Sequence, residues 1–388
     1  MTVVMIAFAA ALVFAAVSTP AVRSLAFRLG LISMPRPDRA HKQPTPLMGG
    51  VAIYVGATVA LMLGGLAARV WLQGWGNLGE LAGILSGATL MAAVGLWDDR
   101  ARLKWGVKLL AQGAAVALPM LSGVSIHLPI PQPLNLALTV AWILYLTNAV
   151  NFTDNMDGVA AGTSMVAASF LTLIAAMNGQ YLVASLAAAV MGASLGFLVY
   201  NMPLPRANIF MGDAGALFLG YMLAILGIKM RFPDNVRHVT WMVPILVLGV
   251  PLYDPVLVFV SRYRRGVSLM QGGVDHVSWR LARLGFGPLG AGLVLQLVAG
   301  ALGMMAVFVM QAGPIEGYLM GGTVFALACV SVWLFEWRLP DDVRLGELAH
   351  AGAAHQDAVQ PTATGGNQAA DGEGEASGTL AVQAEPED

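Results

Sequence analysis

Two aspartates and three asparagines lie within ten residues in the stretch NAVNFTDNMDGVAAG, Asn148–Gly162, and apolar sequence flanks them on both sides. Oxygen-bearing side chains at this density can hold a hard divalent cation, read a nucleobase edge or move protons. Asn148, Asn151 and Asp154 are spaced three apart, which keeps them within about 120° of arc on one helical face. Acids of the same kind recur far away: Asp98 and Asp99 in GLWDDR, Asp213 in IFMGDAG, and Asp275 beside His276 in GGVDHVSWR. His41 and Lys42 stand in HKQPTPLMGG. Oxygen ligands brought together from several helices would suit Mg²⁺ or Mn²⁺ carrying a phosphate. Each element also has a plain structural reading. Asp98 and Asp99 could pair with Arg100, Arg102 or Lys104, Asp213 could cap the helix that follows it, and Asp154 and Asp157 could form a turn before Gly158.

What must position these residues follows from composition. The 388 residues are 57% hydrophobic and 11% charged, with a mean hydropathy of +0.70, whereas soluble domains carry about 25% charged residues. Apolar runs of roughly 20 residues recur up to Trp337, each long enough to cross ~30 Å of hydrocarbon as a helix. The expected fold is an all-α polytopic integral membrane protein with about eleven transmembrane helices. The expected spans are 3–22, 48–68, 79–97, 106–122, 134–152, 159–177, 181–200, 214–230, 240–261, 288–310 and 315–336. The first run lacks preceding basic residues, so it reads as a retained helix with its N-terminus outside. In that orientation only Arg69, Lys229, Arg231 and Arg237 are outer, and 17 of the 21 Lys+Arg are inner, as the positive-inside rule requires. The C-terminus is then cytoplasmic. Residues 1–338 read as a transmembrane catalytic domain and 339–388, rich in Ala, Gly, Gln and acids, as a disordered cytoplasmic tail. The lone Cys329 excludes an intramolecular disulfide.

On these spans the separate acids fall on one membrane surface. Asp98, Asp99, Asp154 and Asp157 sit at inner helix C-termini, where carbonyls already make the potential negative, so a cation must be close. A transporter would carry its ionisable groups near the midplane, but the helix centres here hold almost none. An ion-coupled transporter therefore stays the rival reading, and a reaction surface facing the cytoplasm is preferred. A water-borne substrate and a lipid arriving from the side are the expected partners, with no nucleic acid.

Taken together, NAVNFTDNMDGVAAG, GLWDDR followed by VKLLAQ, HKQPTPLMGG and IFMGDAGALFLG resemble the polyprenyl-phosphate N-acetylhexosamine-1-phosphate transferases (glycosyltransferase family 4). The resemblance runs from about His41 to Arg283 and leans toward the undecaprenyl-phosphate GlcNAc-1-phosphate transferase branch, with the phospho-MurNAc-pentapeptide transferases as the alternative. It implies a UDP-sugar and a polyprenyl phosphate as substrates, UMP as leaving product, Mg²⁺ or Mn²⁺ as cofactor, and an inner (plasma) membrane location for the first membrane step of an envelope glycan pathway. It implies Asp213 and Asn151 as metal ligands and Asp98 and Asp99 as the catalytic pair, with Asp154 joining that acid cluster. Asp157, Phe210 and Lys108 match positions implied in uridine recognition, and Lys42 and Thr45 match the phosphate-facing loop. His276 alone stands where members often carry several histidines, beside Ser278 and Trp279, and NMPLPRANIF holds two extra residues after Asn201. A homodimer is left open by the helix faces.

Overall fold

The computed structural model describes residues 1–34, 44–71, 78–202, 204, 206–233, 237–268, 273–341 and 343. The helices are α1 (Thr2–Leu29), α2 (Gly49–Trp71), α3 (Leu78–Ala101), α4 (Trp105–Leu121), α5 (Gln132–Thr153), α6 (Val159–Met177), α7 (Tyr181–Asn201), α8 (Gly212–Lys229), α9 (Arg237–Thr240), α10 (Met242–Val247), α11 (Gly249–Arg265), α12 (Val277–Leu281), α13 (Gly287–Gln311) and α14 (Pro314–Trp333). A two-residue antiparallel ladder, β1 (Ile32–Ser33) with β2 (Thr45–Pro46), joins α1 to α2 and sets Ser33 opposite Thr45. These elements belong to the unit Met1–Gly346. Of the expected tail, the residues from 344 onward lie outside the described ones.

Helix α8 is apolar all round and is buried from Ala214 to Ile228. A helix without a polar face needs neighbours on every side, and α2, α3, α5, α6 and α7 supply them. Two crossings leave no room for a side chain. A Cβ on Gly50 would stand 1.9 Å from the Gly215 amide nitrogen, and one on Gly95 would stand 2.4 Å from the Asp213 carbonyl oxygen. The backbones of α2 and α3 therefore touch the first turn of α8 directly.

Among the described residues, eight helices are long and apolar enough to cross a membrane, and Gly49–Gly64 and Trp105–Leu121 are shorter apolar helices. The expected single span 240–261 is instead broken into α10 and α11 at Leu248. Pro244 and Pro251 sit near the starts of these two helices, where a missing N–H costs nothing, and Pro255 lies within α11. Polar residues such as Asp254, Arg262 and Arg264 make α11 amphipathic rather than a plain apolar span.

Candidate active site

The C-terminal ends of α3 and α5 meet the N-terminal ends of α4 and α8 at one end of the bundle. There the ammonium of Lys108, in the first turns of α4, reaches into the acids. Its Nζ lies 2.7 Å from Asp98 Oδ2, 2.7 Å from Asp213 Oδ2 and 3.1 Å from Asn151 Oδ1. Asn151 Nδ2 also donates to Asp213 Oδ1 at 2.9 Å, and the Leu103 amide donates to Asp98 Oδ1 at 2.7 Å. Lys108 is thus the cation that the negative helix ends require. The resemblance implied a place for it beside the uracil; in the structure its described partners are the catalytic and metal-ligand candidates themselves.

Asp99 has a different occupation. Its Oδ1 accepts the Asp213 amide at 2.9 Å and its Oδ2 the Ala214 amide at 3.3 Å. It caps the N-terminus of α8 from another helix, where two otherwise unpaired N–H groups and the positive end of the helix dipole favour a carboxylate. The cap considered for Asp213 therefore comes from Asp99, and the Asp213 side chain is left to face Lys108 and Asn151.

The Asn148–Gly162 stretch divides among several tasks. Asn148 exchanges two amide hydrogen bonds with the buried Gln112 of α4, at 2.8 and 3.2 Å, tying α4 to α5. Asp154 is the C-cap residue of α5, and among the described residues no group donates to its carboxylate or to that of Asp157. Burial, then the charges of Asp213, Asp157 and Asp99, push the Asp154 carboxyl well above the usual range. Burial pushes Asp157 up to about 6. The loop is held from behind: Asn201 Oδ1 accepts the Gly158 amide at 2.9 Å, while Asn201 Nδ2 donates to the Ile209 carbonyl at 3.0 Å.

Ile209 leads into Phe210, whose amide donates to the Pro46 carbonyl and whose carbonyl accepts the Gly49 amide, both at 2.9 Å. Thr45 is buried beside this junction. Phe210 and Thr45 thus come together at the start of α2, and Lys42 lies outside the described residues.

His276 is buried, immediately before α12. Its ring packs 5.0 Å from that of Phe152, the residue after Asn151 on α5. The Ser278 hydroxyl donates to Asn155 Oδ1. Around them Arg262 binds Asp275 through two bonds of 2.9 Å, and Arg265 adds a third at 2.6 Å. Burial alone would raise the Asp275 carboxyl, but these guanidinium bonds and charges hold it below the usual carboxylate range. Arg280, fully buried, donates to the Asp275 and Phe335 carbonyls and lies 2.6 Å from Glu336 Oε1. Arg264 bonds the other Glu336 oxygen at 3.1 Å. The turn Leu334–Arg338, after α14, is therefore fastened to the loop that carries His276. Asp254, Gln112 and Glu336 escape sequence reasoning. The first two are lone polar residues in membrane-helix sequence, a signal that was present, whereas Glu336 looks like an ordinary interfacial charge.

Beside the acid basin an apolar cleft of about 290 Å³ is lined by Leu109, Leu144, Tyr145, Asn148, Ala149, Phe152 and Pro255.

The family model for glycosyl transferase family 4 matches residues 81–231, a span that holds all five aspartates of the basin. A decaprenyl-phosphate N-acetylglucosaminephosphotransferase of Mycolicibacterium smegmatis is 30% identical over 338 residues, covering 80% of this chain and 82% of that relative. A Bacillus subtilis protein, described as an undecaprenyl-phosphate N-acetylglucosaminyl 1-phosphate transferase, is 29% identical over 318 residues, covering 80% and 86%. A phospho-N-acetylmuramoyl-pentapeptide-transferase of Leuconostoc citreum is 33% identical over 218 residues, covering 51% and 66%. With the acid basin at the helix ends and a similarity that spans most of these membrane sugar-phosphate transferases, the chain belongs to glycosyl transferase family 4.

Proposed function

We propose that this enzyme transfers N-acetylglucosamine 1-phosphate from UDP-GlcNAc to a polyprenyl phosphate such as undecaprenyl phosphate, releasing UMP at the cytoplasmic face of the plasma membrane. The observation that carries this reading is the gathering of Asp98, Asp213 and Asn151 around one ammonium, at a bundle end beside an apolar cleft. Water-borne nucleotide and membrane-borne lipid can meet only at such a boundary. The names borne by the relatives support the polyprenyl phosphate and the N-acetylglucosamine 1-phosphate, and the UDP carrier is what the family resemblance implies.

The donor set fits a divalent cation. It is entirely oxygen, and the carboxylates of Asp98, Asp99, Asp154, Asp157 and Asp213 share one neighbourhood. Among the described residues no three acids or histidines form a ready-made cage, but Mg²⁺ is commonly held by one or two carboxylates together with substrate phosphates. Asp213 and Asn151 would hold it, and it would neutralise the pyrophosphate as charge shifts toward UMP.

The remaining chemistry belongs to the chain. An oxygen of the lipid phosphate bonds to the β-phosphorus of the nucleotide, and the bond from that phosphorus to the UMP oxygen breaks. Such transfers need mainly positioning and charge neutralisation. Lys108 supplies a fixed positive charge, Asp98 stands ready to take the last proton of the lipid phosphate, and Asp157 offers an acceptor for the uracil edge. The apolar cleft suits the isoprenoid end of the acceptor.

Purified protein with undecaprenyl phosphate, Mg²⁺ and a panel of UDP-sugars tests the reading. UMP release with UDP-GlcNAc is expected. UMP only with UDP-MurNAc-pentapeptide would move the protein to the peptidoglycan branch, UDP release would mean glycosyl transfer, and ion-coupled uptake without UMP would mean transport.

A further inference from the structure

Asp254 is fully buried on α11, in the sequence LYDP. A carboxylate there is costly unless its oxygens are bonded. Both are: Oδ1 accepts the Val277 amide at 2.8 Å, and Oδ2 lies 2.8 Å from His276 Nδ1. These two bonds cross 22 and 23 residues of chain and close the loop between α11 and α12. A carboxylate can only accept, so the ring nitrogen facing it carries the proton. Nε2 of His276 then has no partner among the described residues, while the ring packs at a tilt against Phe152, the residue after Asn151 on α5.

We infer that Asp254 is a positioning residue: it fixes the rotamer and the tautomer of His276, with the proton on Nδ1, so that Nε2 is the atom offered to the nucleotide-sugar. This rests on the proposed function for what His276 contacts, but not for the state of the ring. The Val277 bond serves the same end, because it sets the first turn of α12 and therefore the backbone from which the imidazole projects. Orientation of an active-site imidazole by a buried partner commonly decides which nitrogen acts.

The substitution Asp254→Asn separates the two bonds. The amide oxygen can keep the Val277 contact, whereas the NH₂ group would face Nδ1 and require it to accept, moving the proton to Nε2. Protein with ¹⁵N-labelled histidine gives the ring's tautomer directly by NMR, and His276→Gln identifies its signal among the six histidines. A protonated Nδ1 in the unsubstituted protein is expected, with inversion in Asp254→Asn. In turnover, Asp254→Asn should lower kcat/KM on the order of 10- to 100-fold. The loss should fall on the KM for UDP-sugar, leave that for polyprenyl phosphate unchanged, and vanish in a His276→Gln background. An unprotonated Nδ1 in the unsubstituted protein would overturn the inference. So would a loss that multiplies in full with His276→Gln, or one that raises both KM values together with a lowered Tm. If Asp254→Asn does not fold, the ring state of the unsubstituted protein and the activity of Asp254→Glu, expected to restore the Nδ1 bond, decide the matter. A protein that releases no UMP from any UDP-sugar, yet shows the Nδ1 proton, would sink the proposed function and leave the clamp standing.

Discussion

Lys108 lies between two carboxylates whose surroundings differ. Asp98 is braced by the Leu103 amide and Asp213 by the Asn151 amide. A phosphate monoester loses its second proton near pH ~6, so at neutral pH a base at Asp98 has little left to remove. At saturating Mg²⁺, both Asp98→Asn and Asp213→Asn should lose on the order of 10²-fold or more in kcat, with Asp213→Asn the larger loss; the reverse ranking would make proton removal the dominant contribution. Asp157 gives a pH signature. Its carboxyl is raised from 3.8 to about 6, so UDP-sugar affinity should fall as pH drops through about 6, and Asp157→Asn should flatten that limb of a binding titration. The folded protein holds this proton more tightly than the unfolded chain. Its stabilising contribution is therefore complete below pH 3.8 and lost as pH rises through about 6. Asp157→Asn should accordingly raise Tm at pH 7 more than at pH 4. These acids were legible in the sequence as a set. What was hidden is how they divide: Asn148 turns to Gln112 and Asn151 to Asp213, because two side chains on one helical face can meet different neighbouring helices.

At the scale of elements, the first turn of α8 is where α3 makes its mark. Asp99 caps it and Gly95 lies against its backbone. Asp99→Ala should cost about 0.5–2 kcal/mol, the range for a lost helix cap, seen as a lower Tm in detergent. Asp99→Asn, which keeps one acceptor oxygen, should retain most of the stability and part of the activity. If Asp99→Asn matched the parent in Tm yet were inactive, its carboxylate would be acting on substrate rather than on α8. Gly95→Ala should separate α3 from α8 and depress both Tm and turnover. Local spacing pointed to Asp213 as the cap because a cap usually comes from adjacent sequence. A cap delivered from more than one hundred residues away leaves no local pattern. The break of the ninth expected span was signalled by Pro244 and Pro251, which flank it, but the apolar run outweighed them, since hydropathy registers length and not hydrogen-bond continuity.

For the whole molecule, the orientation expected from the charge asymmetry would put Arg100 inside and Leu128 outside. In a Cys329→Ser background, a membrane-impermeant maleimide should label Leu128→Cys in intact cells and Arg100→Cys only after permeabilisation; the opposite pattern would invert the topology. Helical class and the shared face of the acids follow from hydropathy and charge alone, whereas the burial of α8 at the centre does not, because apolar spans look alike to a hydropathy scale. The turn after α14 adds a consequence in time. Glu336 and the Phe335 carbonyl fasten Arg264 and Arg280, and through Arg280 the loop bearing His276. The ribosome delivers these residues after every other part of the site. A chain cut short before Phe335 would keep every acid of the basin and lose the anchor for that loop.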